Sequence, residues 1–214
     1  MDSPIIFLVT GADHINDCNA VLKKERYIEY MIALHKIFYY SYPVIGVLSE
    51  VDHMHIEDRP PFESFPFKKL ITISQHELDG YNKSIREGVS ILRLLQDIQT
   101  IKDDTFIIKV SGRYVIMDDS FLTTVKGQIH HPHIAAVIRP VENNTGQFTF
   151  LYALRYGYMK KFYERYQYCT DDSISVEYRI VEFLKENNLF EHTIMVDTLG
   201  ILTNINNEGI FRIF

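Results

Sequence analysis

Four short apolar runs, each closed by polar residues and separated by stretches of helical periodicity, constrain this chain more than any other feature. Pro4-Ile5-Ile6-Phe7-Leu8-Val9 ends in Thr10-Gly11, YPVIGVLSE spans 42–50, FKKLITIS spans 67–74, and TFIIKV spans 105–110. Unbroken runs of this length suit strands covered on both faces. Between the first two lies AVLKKERYIEYMIALHKIF, with Tyr27, Tyr30, Met31, Leu34, Ile37 and Phe38 at helical spacing. Before the fourth lies ELDGYNKSIREGVSILRLLQDIQ, which puts Ile85, Val89, Leu92 and Leu95 on one helix face. Strand alternating with helix over the first 120 residues predicts an α/β sandwich with a mostly parallel sheet. With 214 residues, 46% of them hydrophobic, the chain is long enough to be one domain with a full core.

The second half is less regular. SFLTTVKGQI reads as a short helix started by Asp118-Asp119-Ser120, whose side chains suit free helix amides. HIAAVIRPV is a fifth strand, and GQFTFLYALRYG is a sixth strand or the start of a helix. YMKKFYERYQ and SISVEYRIVEFLKEN are helices, and HTIMVDTLGIL is a final strand. The loop VDHMHIEDRPPFESFPF holds three of the seven prolines and suits a lid or binding loop.

Several classes are disfavoured. A net charge of -6 and a pI near 5.8 leave no basic footprint for nucleic acid. No run approaches the ~20 apolar residues of a membrane span. Two cysteines, Cys18 and Cys169, point to a reducing compartment, so a cytoplasmic location is expected. Thr10-Gly11 lacks the further glycines of a dinucleotide fingerprint, and no P-loop or nucleophile elbow is present. The run His130-His131-Pro132-His133 has no cysteine nearby to complete a zinc site. The doublets Asp118-Asp119 and Asp171-Asp172 are read as helix caps.

Ligands of parallel α/β sheets bind beyond the carboxyl ends of the strands. Thr10, Gly11, Ser49, Glu50, Asp79, Lys109, Ser111 and Arg113 are therefore expected to converge there. Lys83 and Arg86 begin the second helix, where two cations oppose the macrodipole and suit an anion site or solvated surface equally. The buried run ending in Lys109, Ser111, Gly112 and Arg113 has the character of an anion-holding edge.

FIIKVSGRYVI, NKSIREGV and SISVEYRIVEFL carry a resemblance to the GT-A glycosyltransferases, the first through a K-x-[ST]-G-R-Y signature found in a group of viral and bacterial sugar transferases. The likeness covers essentially the whole chain and extends to the amino-terminal domain of a chlorovirus capsid-glycan enzyme. It implies a GT-A-like single domain, with a nucleotide-binding half over 1–120 and an acceptor-side half over 121–214. It also implies transfer of a hexose from a nucleotide diphosphate sugar, a UDP sugar within this family, to a glycan hydroxyl. A role in viral capsid glycan synthesis would place the chain in a host cytoplasm.

The resemblance further implies that Thr10, Gly11, Ser49, Glu50 and Asp79 hold base and ribose, that Lys83, Arg86, Lys109 and Arg113 meet the diphosphate, and that Ser111 belongs to the same nucleotide-sugar site. Glu177 is the expected carboxylate facing the acceptor or anomeric carbon, with a first-turn acid favoured by the helix dipole as its alternative. Arg155, Tyr156 and Tyr158 are expected on the acceptor side, with plain packing as theirs. The family's Asp-x-Asp, which holds Mn2+ or Mg2+, is replaced by Lys109-Val110-Ser111, so a divalent cation is optional. A non-catalytic nucleotide-sugar or glycan-binding module on the same fold is the competing reading. The apolar tail IFRIF is compatible with fusion to further domains.

Overall fold

The computed structural model describes residues 3–12, 20–49, 61–81, 83–141, 150–167, 176–205 and 210–213. Cys18, Cys169, Glu50, the doublet Asp171-Asp172 and residues 51–60 of the proline-rich loop lie outside the described residues. Of Lys83 and Glu177 only the backbone is described.

The first half alternates as the periodicities require. It runs β1 (Ile5–Ala12), α1 (Ala20–Tyr39), β2 (Val44–Ser49), β3 (Lys69–Ile73), α2 (Lys83–Asp97) and β4 (Phe106–Ser111). A two-residue strand, β5 (Val115–Ile116), and α3 (Ser120–Gly127) follow. The second half adds β6 (Ala136–Ile138), β7 (Leu151–Arg155), α4 (Tyr156–Tyr166), α5 (Val176–Glu186), β8 (Thr193–Met195), β9 (Ile201–Ile205) and β10 (Ile210–Ile213). The segment left open between strand and helix is both: β7 passes directly into α4.

The main sheet has the order β3-β2-β1-β4-β7-β6-β8. β1 is parallel to β2 and β4, β2 to β3, and β6 to β8, while β7 is antiparallel to both β4 and β6. Six strands thus run one way and β7 alone runs back. A mostly parallel central sheet flanked by helices is the architecture expected from the sequence.

Strand alternation divides the core in two. Ile6, Leu8, Ile107, Tyr152 and Leu154 face α2, α4 and α5, whereas Ile5, Phe7, Val9, Phe106, Ile108 and Val110 face α1 and α3. Both strands β1 and β4 are buried on the two sides, which is why their sequences show no polar alternation.

The single final strand expected over HTIMVDTLGIL is instead two. β8 closes the main sheet, and β9 joins a second, three-stranded sheet in the order β10-β9-β5. The break falls at Gly200, whose φ of +63° suits glycine, and a side chain there would collide with the Asp118 carboxylate. Asp118 performs the expected capping, accepting from the Ser120 amide at 2.9 Å and from its hydroxyl; these bonds hold its pKa below the ordinary value. Asp119 does not cap by its side chain and instead accepts from the Tyr40 hydroxyl at 2.6 Å.

Candidate active site at the carboxyl edge of the sheet

The register sets the ends of β1 and β4 side by side, with Thr10 opposite Ser111 and Leu8 opposite Lys109. Ala12 lies opposite Ser49 on the other flank of β1. Thr10, Gly11, Ser49, Lys109 and Ser111 are therefore gathered at one edge, as the sequence leads one to expect. Asp79 lies in the connection from β3 into α2, which leaves from the same edge, and Arg86 lies in the first turn of α2.

Lys109 shares a strand face with Ile107, so its side chain enters the layer under α2. It is 3% exposed, and its ammonium lies 2.8 Å from Glu87 Oε1. The Thr10 hydroxyl donates to the same oxygen at 2.9 Å. A lysine inside a doubly covered strand needs a counter-charge, because burying an uncompensated ammonium is prohibitive. Glu87, the fifth residue of α2, supplies it. The Tyr152 ring lies 6.0 Å from the Lys109 ammonium, and the Tyr152 and Tyr163 hydroxyls share a short hydrogen bond below it. Burial, reinforced by Tyr152, pushes the Tyr163 pKa well above the ordinary value.

Arg113 turns the other way. The chain reverses after β4, with Gly112 N donating to Thr10 O at 2.8 Å and Tyr114 N to Ser111 O at 3.0 Å. The Arg113 guanidinium then stacks 5.1 Å from the Tyr114 ring and donates to its hydroxyl at 3.3 Å. Burial alone opposes its charge, but Tyr114, Tyr30 and Glu29 outweigh that effect and raise its pKa. Lys109 and Arg113 thus flank the end of β4 on opposite faces.

Both glycines at this edge are explained by one ring. Phe62, fully buried in the Pro61–Ser64 turn, lies where a side chain on Gly11 or Gly112 would sit, 2.6 Å and 2.9 Å from the added carbon. The edge is consequently floored by an aromatic on the α1 side, while its hydroxyls lie on the α2 side. Ser49 is buried, with its hydroxyl 3.4 Å from Gly11 O. Arg86 Nε donates to Tyr81 O at 2.8 Å, and the exposed Asp79 lies 3.6 Å from His76 Nδ1.

The acceptor-side expectation meets a different geometry. Because β7 is reversed, Arg155 pairs with Phe106 at the start of β4, so Arg155, Tyr156 and Tyr158 lie at the amino edge, away from Thr10 and Ser111. Arg155 is 4% exposed and donates to four carbonyls: Ile134 at 3.0 Å, Gln128 at 3.1 Å, His131 at 2.9 Å, and Asp104. Its guanidinium lies 4.1 Å from the Phe106 ring centre, and burial lowers its pKa. Tyr156 is buried and bonds the Leu95 and Ile98 carbonyls. Packing, the alternative reading of these residues, is what Arg155 and Tyr156 do. An open cleft of about 440 Å³ lies here too, lined by Asp103, Asp104, Arg155, Tyr158, Lys160 and Lys161, remote from the strand ends just described.

Glu177, of which only the backbone is described, lies in the first turn of α5. α4 rises from the amino edge, and its last turn meets the first turns of α2, where a side chain on Gly88 would lie 2.7 Å from Tyr166 Cδ1. α5 then descends to β8, so its first turn, with Glu177, starts from the carboxyl edge.

A carboxylate-held Mn2+ or Mg2+ does not fit the described residues. The end of β4 presents an ammonium and a hydroxyl where such an ion needs anionic oxygens. Among the described residues no group of three or more His, Cys, Asp or Glu side chains could hold a metal, and the neighbouring rings of His131, His133 and His192 are no exception. No described helix is long and apolar enough to cross a membrane.

No protein-family model matches the chain, and no curated protein matches it. Solved structures do. A protein of Desulfovibrio desulfuricans G20, assigned as a nucleotide-diphospho-sugar transferase, superposes with a TM-score of 0.53 at 13% identity, covering 91% of this chain and 80% of its own. The galactosyltransferase LgtC, solved with donor and acceptor sugar analogues, gives 0.52 at 8% identity, covering 89% and 73%. Neither is a chlorovirus enzyme, so the narrower likeness gains no support from them. At these identities the shared property is the fold: this chain has the α/β architecture of nucleotide-sugar transferases of the GT-A type.

Proposed function

We propose that the chain is a glycosyltransferase that moves a hexose from a nucleotide diphosphate sugar, a UDP sugar by its motif, to a glycan hydroxyl. The observation that carries this reading is the gathering of Thr10, Ser49, Ser111, Lys109 and Arg113 at the carboxyl edge of a GT-A-type sheet, with Arg86 on the adjoining helix. In the reaction the bond between the anomeric carbon and the diphosphate oxygen breaks, its electron pair leaving with the diphosphate. The acceptor oxygen bonds to that carbon and gives up its proton.

Lys83, Arg86, Lys109 and Arg113 stabilise the departing charge, which is where preorganised cations lower such a barrier most. Thr10, Gly11, Ser49, Ser111, Glu50 and Asp79 hold the nucleotide. Glu177 takes the acceptor proton or faces the anomeric carbon. No step is routed through a metal, since the donor set at β4 opposes one. The narrower reading, synthesis of a viral capsid glycan in a host cytoplasm, rests on the sequence likeness alone.

Calorimetry with UDP, GDP, CMP and dTDP sugars tests the proposal, followed by hydrolysis and transfer assays with and without Mn2+. Binding of one nucleotide class with turnover supports it. Binding without turnover under any acceptor favours the non-catalytic module, and no binding by any of them refutes both.

A further inference from the structure

An anion approaching the end of β4 on the α2 side meets a carboxylate before it meets the lysine. Lys109 is 3% exposed, whereas the Glu87 side chain, 2.8 Å away, retains 38% of its exposure. One Glu87 oxygen accepts from both the ammonium and the Thr10 hydroxyl. A phosphate oxygen could take these same two donors in the same place.

We infer that Glu87 is an internal stand-in for a donor phosphate. It neutralises Lys109 in the free protein and yields that position when a diphosphate arrives. The inference rests on the donor reading above and adds a residue that the sequence motifs do not single out.

Three features make the exchange physically reasonable. The buried ammonium is never left without a counter-charge, since one anion replaces another. The Glu87 side chain keeps 38% of its exposure, so its carboxylate can turn to water as a phosphate takes over its two donors, while the lysine is fixed within the sheet layer. Thr10, released from Glu87, keeps a hydroxyl ready for the incoming oxygen at the strand end that faces Ser111. The consequence is a competition: the carboxylate that orders Lys109 also weakens diphosphate binding.

The test is titration of the wild type, E87Q, E87A, K109M and the E87Q/K109M double variant with UDP, GDP, CDP and ADP, with circular dichroism as the check of folding. E87Q should bind the preferred diphosphate about three- to tenfold more tightly at low salt, the scale set by removing one half-solvated like charge near the ligand. The gain should vanish in the K109M background and should not appear with the free nucleoside. E87A reads the same quantity if E87Q does not fold. Wild-type binding with equal or weaker affinity in both Glu87 variants overturns the stand-in role and leaves the donor reading intact. A gain that persists without Lys109 overturns it as well. Absence of any diphosphate binding by the wild type removes both.

Discussion

Replacing Arg155 with methionine should destabilise the fold without touching the nucleotide edge. The methionine preserves much of the apolar stem but removes the guanidinium donors to the carbonyls of Asp104, Ile134, Gln128 and His131, of which Gln128 and His131 keep a backbone donor, His131 N and Ile134 N. Each lost bond from a charged donor is worth about 1 kcal/mol or more, and a carbonyl left dry costs a similar amount. The stacking on Phe106 adds about 1 kcal/mol. Against this, the protein no longer has to bury a guanidinium, a cost that the nearby Asp104 only partly offsets. The net loss expected is about 3 kcal/mol, a large fraction of the ~5–15 kcal/mol of a typical domain. Urea unfolding followed by circular dichroism should show it as a midpoint lowered by roughly 1–2 M, using an m-value of about 2 kcal/mol/M. R155K, which retains a charge but not the planar fork, should fall between. At temperatures where R155M is folded, its affinity for the preferred nucleoside diphosphate should match the wild type. A stability loss below about 1 kcal/mol would refute the bracing role, and a selective loss of nucleotide binding by folded R155M would return Arg155 to the site.

Other perturbations probe the carboxyl edge and the core beneath it. The pair Lys109→Ala and Arg113→Ala should weaken UDP binding by about tenfold or more, as expected for losing charge-assisted contacts to phosphate; unchanged calorimetric affinity would remove both residues from the site. Gly112→Ala should cost about 1–3 kcal/mol because the new methyl would meet Phe62 and Val9 at 2.9 Å, and Phe62→Leu in the same chain should recover part of it in thermal melts. Tyr163, whose pKa burial raises, must stay neutral in the fold. Its contribution is fully present below the unfolded tyrosine pKa of about 10 and is lost as the pH rises beyond it. Y163F should therefore show a shallower fall in urea midpoint between pH 9 and 11, and an unchanged slope would contradict the assignment.

The strand and helix order was legible because doubly buried strands leave unbroken apolar runs and their covering helices leave a 3.6-residue period. The direction of β7 was not. FLYALRYG carries the same burial pattern whichever way it runs, and nothing local distinguishes a crossover from a return. That one reversal carries Arg155 and Tyr156 to the far edge. A residue's position after a strand is informative about ligands only once the strand's direction is known.

Glu87 was missed for a different reason: on the helix it looks like any solvated acid. The signal lay elsewhere, in Lys109. Alternation puts Lys109 on the face of Ile107, inside a strand with no exposed side, and a buried cation demands an anion from the covering element. α2 is that element, and its acids are Glu87 near the carboxyl edge and Asp97 at the opposite end. The partner of Lys109 could thus have been named from register and charge balance. The same reasoning separates the two cations of the motif. The one within the strand arrives already paired with Glu87 and must exchange partners to bind phosphate, whereas Arg113, beyond the turn and on the other face of β4, packs on Tyr114 and feels Tyr30 and Glu29. Diphosphate binding should accordingly respond to Glu87 through Lys109 and not through Arg113, so E87Q should keep its gain in an R113A background and lose it in K109M.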